Sequence, residues 1–152
     1  MKKLFALSLI YLMALSTMAQ NSVWVDLGLS SGTLWKRQNE SRYYTYEEAL
    51  SHFGNKLPEI DHFVELQSEC TWIWIYNYGY KVIGPNGNFI TLPAEGYRSC
   101  VGGMANLIGT GGCYWSSSPC ESDYAWTLYF YSRGVGIDFS NRCYGRSVRL
   151  VQ

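Results

Sequence analysis

The feature that most constrains this chain is an alternation of period two, regular from Tyr114 and sustained through Phe139. Within it, Trp126, Leu128 and Phe130 fall on one side, and Ala125, Thr127, Tyr129 and Tyr131 on the other. Successive side chains of a strand point to opposite faces, so this segment buries one set only by lying as a strand against a core. Val135, Ile137 and Phe139 repeat the inward set, and Val148, Leu150 and Val151 close the chain with a last apolar group. The sequence predicts an antiparallel sheet in the C-terminal half.

Two short helices are expected upstream. Thr45 and Glu48 have the spacing of a reciprocal N-terminal cap, the run through Ala49, Leu50 and Phe53 follows, and Gly54 stops it. A second helix is predicted from Pro58, with Ile60, Phe63, Val64 and Gln67 as its stripe. Ser22–Leu29 alternates as a strand through Val23, Val25 and Leu27. After Cys70, Trp72 and Trp74 alternate with Ile73 and Ile75, and Tyr80–Ile83 and Phe89–Leu92 flank the turn cluster Gly84–Asn88. Gly102-Gly103 and Gly109–Gly112 mark a tightly turning or mobile connection. Helices early and a sheet late define an α+β class.

Lys2-Lys3, the twelve-residue apolar run Leu4–Leu15 and the small Ala19 have the layout of a cleavable secretory signal at residues 1–19. That run falls short of the roughly 18–20 residues of a membrane helix, so no membrane span is expected. Residues 20–152 then form one domain, placed as secreted, periplasmic or cell-surface. Without Lys2 and Lys3 the 12 basic residues fall to 10, against 12 acidic ones. A slightly acidic domain is a poor match for phosphate, so nucleic acid is excluded as a partner. The five cysteines are odd in number and none is spaced C-x-x-C, which predicts up to two disulfides and no zinc site.

Asp26-Leu27-Gly28-Leu29-Ser30-Ser31-Gly32-Thr33-Leu34-Trp35, Lys56-Leu57-Pro58 with Phe63 and Leu66, Cys70-Thr71-Trp72 and Gly79–Asn88 form an ordered series of motifs. Leu92–Arg98, Tyr114-Trp115-Ser116-Ser117-Ser118 and Ser147–Val151 continue it. The series resembles the Fibrobacter succinogenes major paralogous domain found across Bacteroidetes, over most of residues 23–151. That resemblance implies a C-type-lectin-like domain, a fold shared with formylglycine-generating enzymes, with two short helices, a late antiparallel sheet and long loops. Glu59 and His62 stand where the family carries a capping Thr and Glu, so the second helix is expected to lose its reciprocal cap. The segment from Tyr114 to the C-terminus also resembles the variable region of proteins diversified by retroelements, in which replaced residues form the ligand-binding face. By that resemblance residues 120–146 are the variable face.

Independently of any resemblance, an outward row of tyrosines beside Arg and Asp combines rigid aromatic area with adaptable polar groups, the chemistry of a paratope. The expected ligand-binding residues are Ser122, Asp123, Tyr124, Thr127, Tyr129, Tyr131, Arg133, Asp138, Ser140, Tyr144 and Arg146. The expected partner is a protein or glycan on another cell, phage or host surface. Glu95, Glu121, Asp123 and Asp138 are too scattered for a calcium site, so neither metal nor cofactor is expected. His52 and His62 lie at helix ends and no nucleophile motif is present, so catalysis is not expected. The alternatives are a structural or adhesin subunit using the same face for permanent assembly, and a thiol-dependent enzyme.

Overall fold

The computed structural model describes residues 22–152, and the expected export signal at residues 1–19 lies outside the described residues. The chain runs β1 (Trp24–Asp26), β2 (Leu34–Lys36), α1 (Tyr46–Phe53), a 3-10 turn (Gly54–Lys56) and α2 (Ile60–Glu69). Strands follow: β3 (Thr71–Ile75), β4 (Gly79–Ile83), β5 (Phe89–Pro93), β6 (Tyr97–Ser99), β7 (Gly102–Asn106), β8 (Gly111–Glu121), β9 (Tyr124–Tyr131) and β10 (Gly134–Asn141). They form four antiparallel sheets: β1-β2, β3-β4-β5, β6-β7 and β8-β9-β10.

The expected α+β, C-type-lectin-like plan is therefore corrected. The molecule is mostly β, 47% strand against 16% helix, and nothing in its small antiparallel sheets establishes a C-type lectin fold. The helices stop at eight and ten residues, at Gly54 and Cys70. Meanwhile the glycine-rich stretch expected to be a connection folds into the β6-β7 hairpin, with Gly102 and Gly103 at positive φ where other residues are strained.

Local chemistry explains each helix start. Glu48 N–H donates to Thr45 Oγ1 at 3.3 Å and Thr45 N–H to Glu48 Oε2 at 2.9 Å, the reciprocal cap expected on α1. The Thr45 N–H bond to its charged form holds the Glu48 carboxyl below its usual pKa. At α2 the reciprocal arrangement expected to be lost is retained: Glu59 caps the helix, and Glu59 N–H donates to His62 Nδ1 at 3.0 Å. An imidazole thus takes the place of the missing glutamate.

The main core gathers Trp35, Phe63, Leu66, Val82, Ile90, Leu92, Tyr114, Leu128 and Phe130 between α2 and the sheets. A second cluster of Tyr44, Tyr46, Ala49, Leu57, Trp115, Ala125, Val148 and Leu150 packs α1 against β8 and β9. The final segment ties the sheets together through bridges from Gly145 to Arg98, Arg146 to Tyr44, Ser147 to Tyr114 and Val151 to Trp35. Arg149 is buried among them and donates to Asn39 Oδ1 and to the carbonyls of Lys36, Arg37 and Thr91 at 2.7–3.0 Å.

The inward set of the late sheet holds for Leu128 and Phe130, both fully buried, with Val135 and Ile137 packed beside them. Phe139 departs from it and is 52% exposed. It pairs with Trp126 near the far end of β9, beyond the core, and its ring meets the Tyr124 and Trp126 rings edge-on instead.

Candidate ligand-binding cleft

Opposite the core, β8, β9 and β10 form part of a cleft of about 660 Å³. Gly111–Cys113, Thr127, Tyr129 and Tyr131 contribute from β8 and β9, and Asp138–Asn141 from β10. Gly96, Tyr97, Cys100 and Leu107 line it from in and around the β6-β7 hairpin, and Tyr144 and Arg146 from the segment after β10.

The register explains how the tyrosines sit. Tyr129 pairs with Cys113 on β8 and with Gly136 on β10, while Tyr131 pairs with Gly111 and Gly134. A Cβ built on Gly136 would lie 2.7 Å from the Tyr129 ring and hydroxyl, and one on Gly111 would lie 2.8 Å from the Tyr131 ring. Both rings therefore lean across bare glycine backbone rather than standing out from the sheet. Their centroids are 6.3 Å apart, tilted by 64°. Such cross-strand aromatic–glycine pairs hide backbone and pin register.

Arg146 organises the cleft around its guanidinium. It donates to Ser140 Oγ from Nη2 at 2.6 Å and from Nε at 3.2 Å. The same group lies 4.6 Å from the Tyr97 ring centre and 4.8 Å from that of Tyr144. The two rings meet nearly edge-on at 5.7 Å. A cation held between aromatic faces and a hydroxyl is a rigid element, because its plane is fixed by every neighbour at once. The Cys100–Cys143 disulfide, with Cα atoms 4.9 Å apart, fastens the β6-β7 hairpin to the loop carrying Tyr144 and Arg146.

Of the eleven expected site residues, Tyr124, Thr127, Tyr129, Tyr131, Asp138, Ser140, Tyr144 and Arg146 line this cleft. Two of these are more enclosed than an outward row implies: Thr127 is 1% exposed and donates to the Asp138 carbonyl at 3.1 Å, and Ser140 is 7% exposed beneath Arg146. Ser122, Asp123 and Arg133 do not line it. Ser122 and Asp123 form the β8-β9 turn and Arg133 lies in the β9-β10 turn, at opposite ends of an eight-residue strand. Ala125, expected on the outward side, is fully buried under the second core cluster.

Sequence reasoning missed Tyr97, Leu107, Phe139 and Asn141 as lining residues. The available signal for Tyr97 was Cys100, three positions on, because its bond to Cys143 draws that hairpin to Tyr144.

Three cysteines are unpaired: Cys70, Cys113 and Cys120. Cys113 is buried at the cleft, and burial pushes its thiol pKa up, with the Arg146 charge pulling the other way. Burial, aided by Glu69 and Glu65, pushes Cys70 up to about 11. Reactive thiols need the opposite shift. Among the described residues no group of His, Cys, Asp and Glu is arranged to hold a metal ion, and no helix is long and apolar enough to cross a membrane.

The fold and the site together define a mostly β domain with an aromatic, disulfide-fastened cleft on its late sheet. Residues 74–151, which hold every lining residue of that cleft, match the family described as Domain of unknown function (DUF8237), and the chain belongs to that family. No curated protein and no solved structure is similar enough to match.

Proposed function

We propose that the protein is an exported, non-catalytic receptor or adhesin that binds a protein or glycan of another cell, phage or host surface in this cleft. The observation that carries the reading is the convergence of eight of the eleven expected binding residues on one concave surface. Five tyrosines there supply contact area with few rotatable bonds, Arg146 is already immobilised, and Asp138 remains exposed. Binding at such a surface loses little side-chain entropy. The raised pKa values of Cys70 and Cys113 argue against thiol catalysis as the alternative.

The resemblance to retroelement-diversified variable regions adds a second element to the proposal: residues 120–146 vary between copies of the gene while the core positions stay fixed. A near-identical template repeat of the codons for residues 115–150, beside a reverse transcriptase gene, tests it. Absence of the repeat removes diversification and leaves a binding protein with a fixed face.

The direct test screens the purified protein against an oligosaccharide array and a displayed peptide library, then repeats each hit with Tyr129→Ala, Tyr131→Ala and Tyr144→Ala. Each variant should weaken binding by about thirtyfold, the ~2 kcal/mol of an interface hot spot, while the domain stays folded and unfolds cooperatively. Hits that all three variants bind like the parent would assign binding to another surface.

A further inference from the structure

The β3-β4-β5 sheet ends on β3, and that end is open. β4 pairs with one edge of Thr71–Ile75, and among the described residues no main-chain hydrogen bond reaches the other edge. In the turn to β4, the Ile75 carbonyl accepts from Tyr78 N–H at 3.0 Å, which places the main-chain groups of Thr71, Ile73 and Ile75 on the β4 side. By the alternation of an antiparallel ladder, the N–H and C=O groups of Trp72 and Trp74 then face outward along the open edge.

Soluble proteins blunt such edges with charged residues, proline or a bulge. Thr71-Trp72-Ile73-Trp74-Ile75 has no charge and no proline, and its register with β4 is unbroken. The sheet face turned away from the core is apolar as well: Ile73 is 48%, Ile75 39% and Phe89 41% exposed. The charge on that face is Lys81, which pairs across from Ile73 with its ammonium 4.1 Å from the Phe89 ring centre.

We propose that β3 is the docking strand for a second copy of this chain, the two β3 strands pairing antiparallel about a two-fold axis at Ile73. The sequence is self-matching in that arrangement, since Trp72-Ile73-Trp74 is palindromic about its centre. Trp72 meets the Trp74 of the other copy, Ile73 meets its own equivalent, and Thr71 meets Ile75. The outward N–H and C=O groups of both tryptophans find partners, no charge is buried, and two three-stranded sheets become one of six strands. A strand edge of five residues belongs to the small end of specific interfaces, below about 1,200 Å² in total, so association is micromolar and reversible. No β3 residue lines the cleft, so the strand pairing uses none of the cleft's own residues.

Sedimentation velocity from about 1 to about 300 µM, a span set by the micromolar affinity of small interfaces, tests this. The protein should pass from monomer to dimer across that range. Ile73→Glu sets a carboxylate beside Lys81 within its own sheet, which the fold accommodates, and two like charges across the two-fold, which the dimer does not. It should weaken association at least about tenfold, the effect of ~1.4 kcal/mol. Hydrogen exchange of the parent protein gives a readout independent of any variant: the Trp72 and Trp74 amides should gain protection as concentration rises. A monomer at every concentration, a dimer indifferent to Ile73→Glu, or a Trp72 and Trp74 exchange rate independent of concentration would each overturn the proposal. The first of these would leave the edge to a strand from a different protein.

Discussion

Tyr129 lies across Gly136, its ring carbons and hydroxyl 2.7 Å from where a Cβ on that glycine would stand. Gly136 has no positive φ, so alanine is acceptable to the backbone there and the ring has to move. Because that ring is half-exposed, Gly136→Ala should change stability by less than about 1 kcal/mol while displacing Tyr129, visible as shifted ring resonances in NMR spectra. Gly112→Ala is the contrasting case. Its Cβ would lie 2.2 Å from the fully buried Phe130 ring, so overpacking should cost about 1–3 kcal/mol in urea unfolding.

The Cys100–Cys143 bond closes a loop of 43 residues, for which chain entropy gives up to about 4 kcal/mol. Cys100→Ser with Cys143→Ser should lower stability by as much as that. The loss should be uneven, because the hairpin at 97–106 is otherwise fastened to the final segment by the Arg98–Gly145 bridge and by the Tyr97 contacts to Tyr144 and Arg146. Hydrogen exchange should therefore rise first in residues 97–106 and 141–146, ahead of β9. Uniform acceleration across the sheet would show that the bond stabilises the whole fold and not this wall of the cleft.

The parts of this architecture legible in the sequence are those decided by neighbours in the chain. The β4-β5 turn, the Thr45–Glu48 cap and the alternation that buries Leu128 and Phe130 all rest on contacts within one or two elements. What periodicity could not supply is which distant segment covers a given face. Thr127 and Tyr129 share a side of β9, yet one is enclosed and the other half-exposed, because the opposing β8 and β10 residues and the Arg146 segment cover that side unevenly. Ser140 is buried because Arg146 folds over it from six residues away, and Phe139 is exposed because its cross-strand partner Trp126 lies outside both core clusters. The cleft itself depends on a disulfide whose pairing five cysteines leave open.

Arg149 is 1% exposed and its guanidinium serves four acceptors drawn from two separate stretches of chain, residues 36–39 and Thr91. Asn39, one of them, donates in turn to Glu95 at 2.8 Å and to the Tyr114 hydroxyl at 2.9 Å. Replacing Arg149 with Met leaves those carbonyls and the Asn39 oxygen buried and unpaired, which should cost about 3–5 kcal/mol by urea denaturation. Arg149→Lys should recover only part of this, because one ammonium cannot reach positions set by a planar fork of donors.

Cys70 supplies a pH dependence whose sign is fixed by burial. Its thiol is raised from 9.0 to about 11 because burial disfavours the thiolate, and Glu69 and Glu65 add repulsion. The unfolded chain loses this proton first, so the stabilising contribution of the protonated thiol is full below pH 9 and declines as pH rises toward 11. Urea midpoints measured across that interval should fall for the parent protein and fall less for Cys70→Ser. Alkylation of Cys70 by iodoacetamide, followed by peptide mass mapping, should likewise accelerate up to about pH 11 instead of levelling near 9. A rate that levels near 9 would mean the thiol is solvated in solution, and the packing of Cys70 against the main core would have to be redrawn.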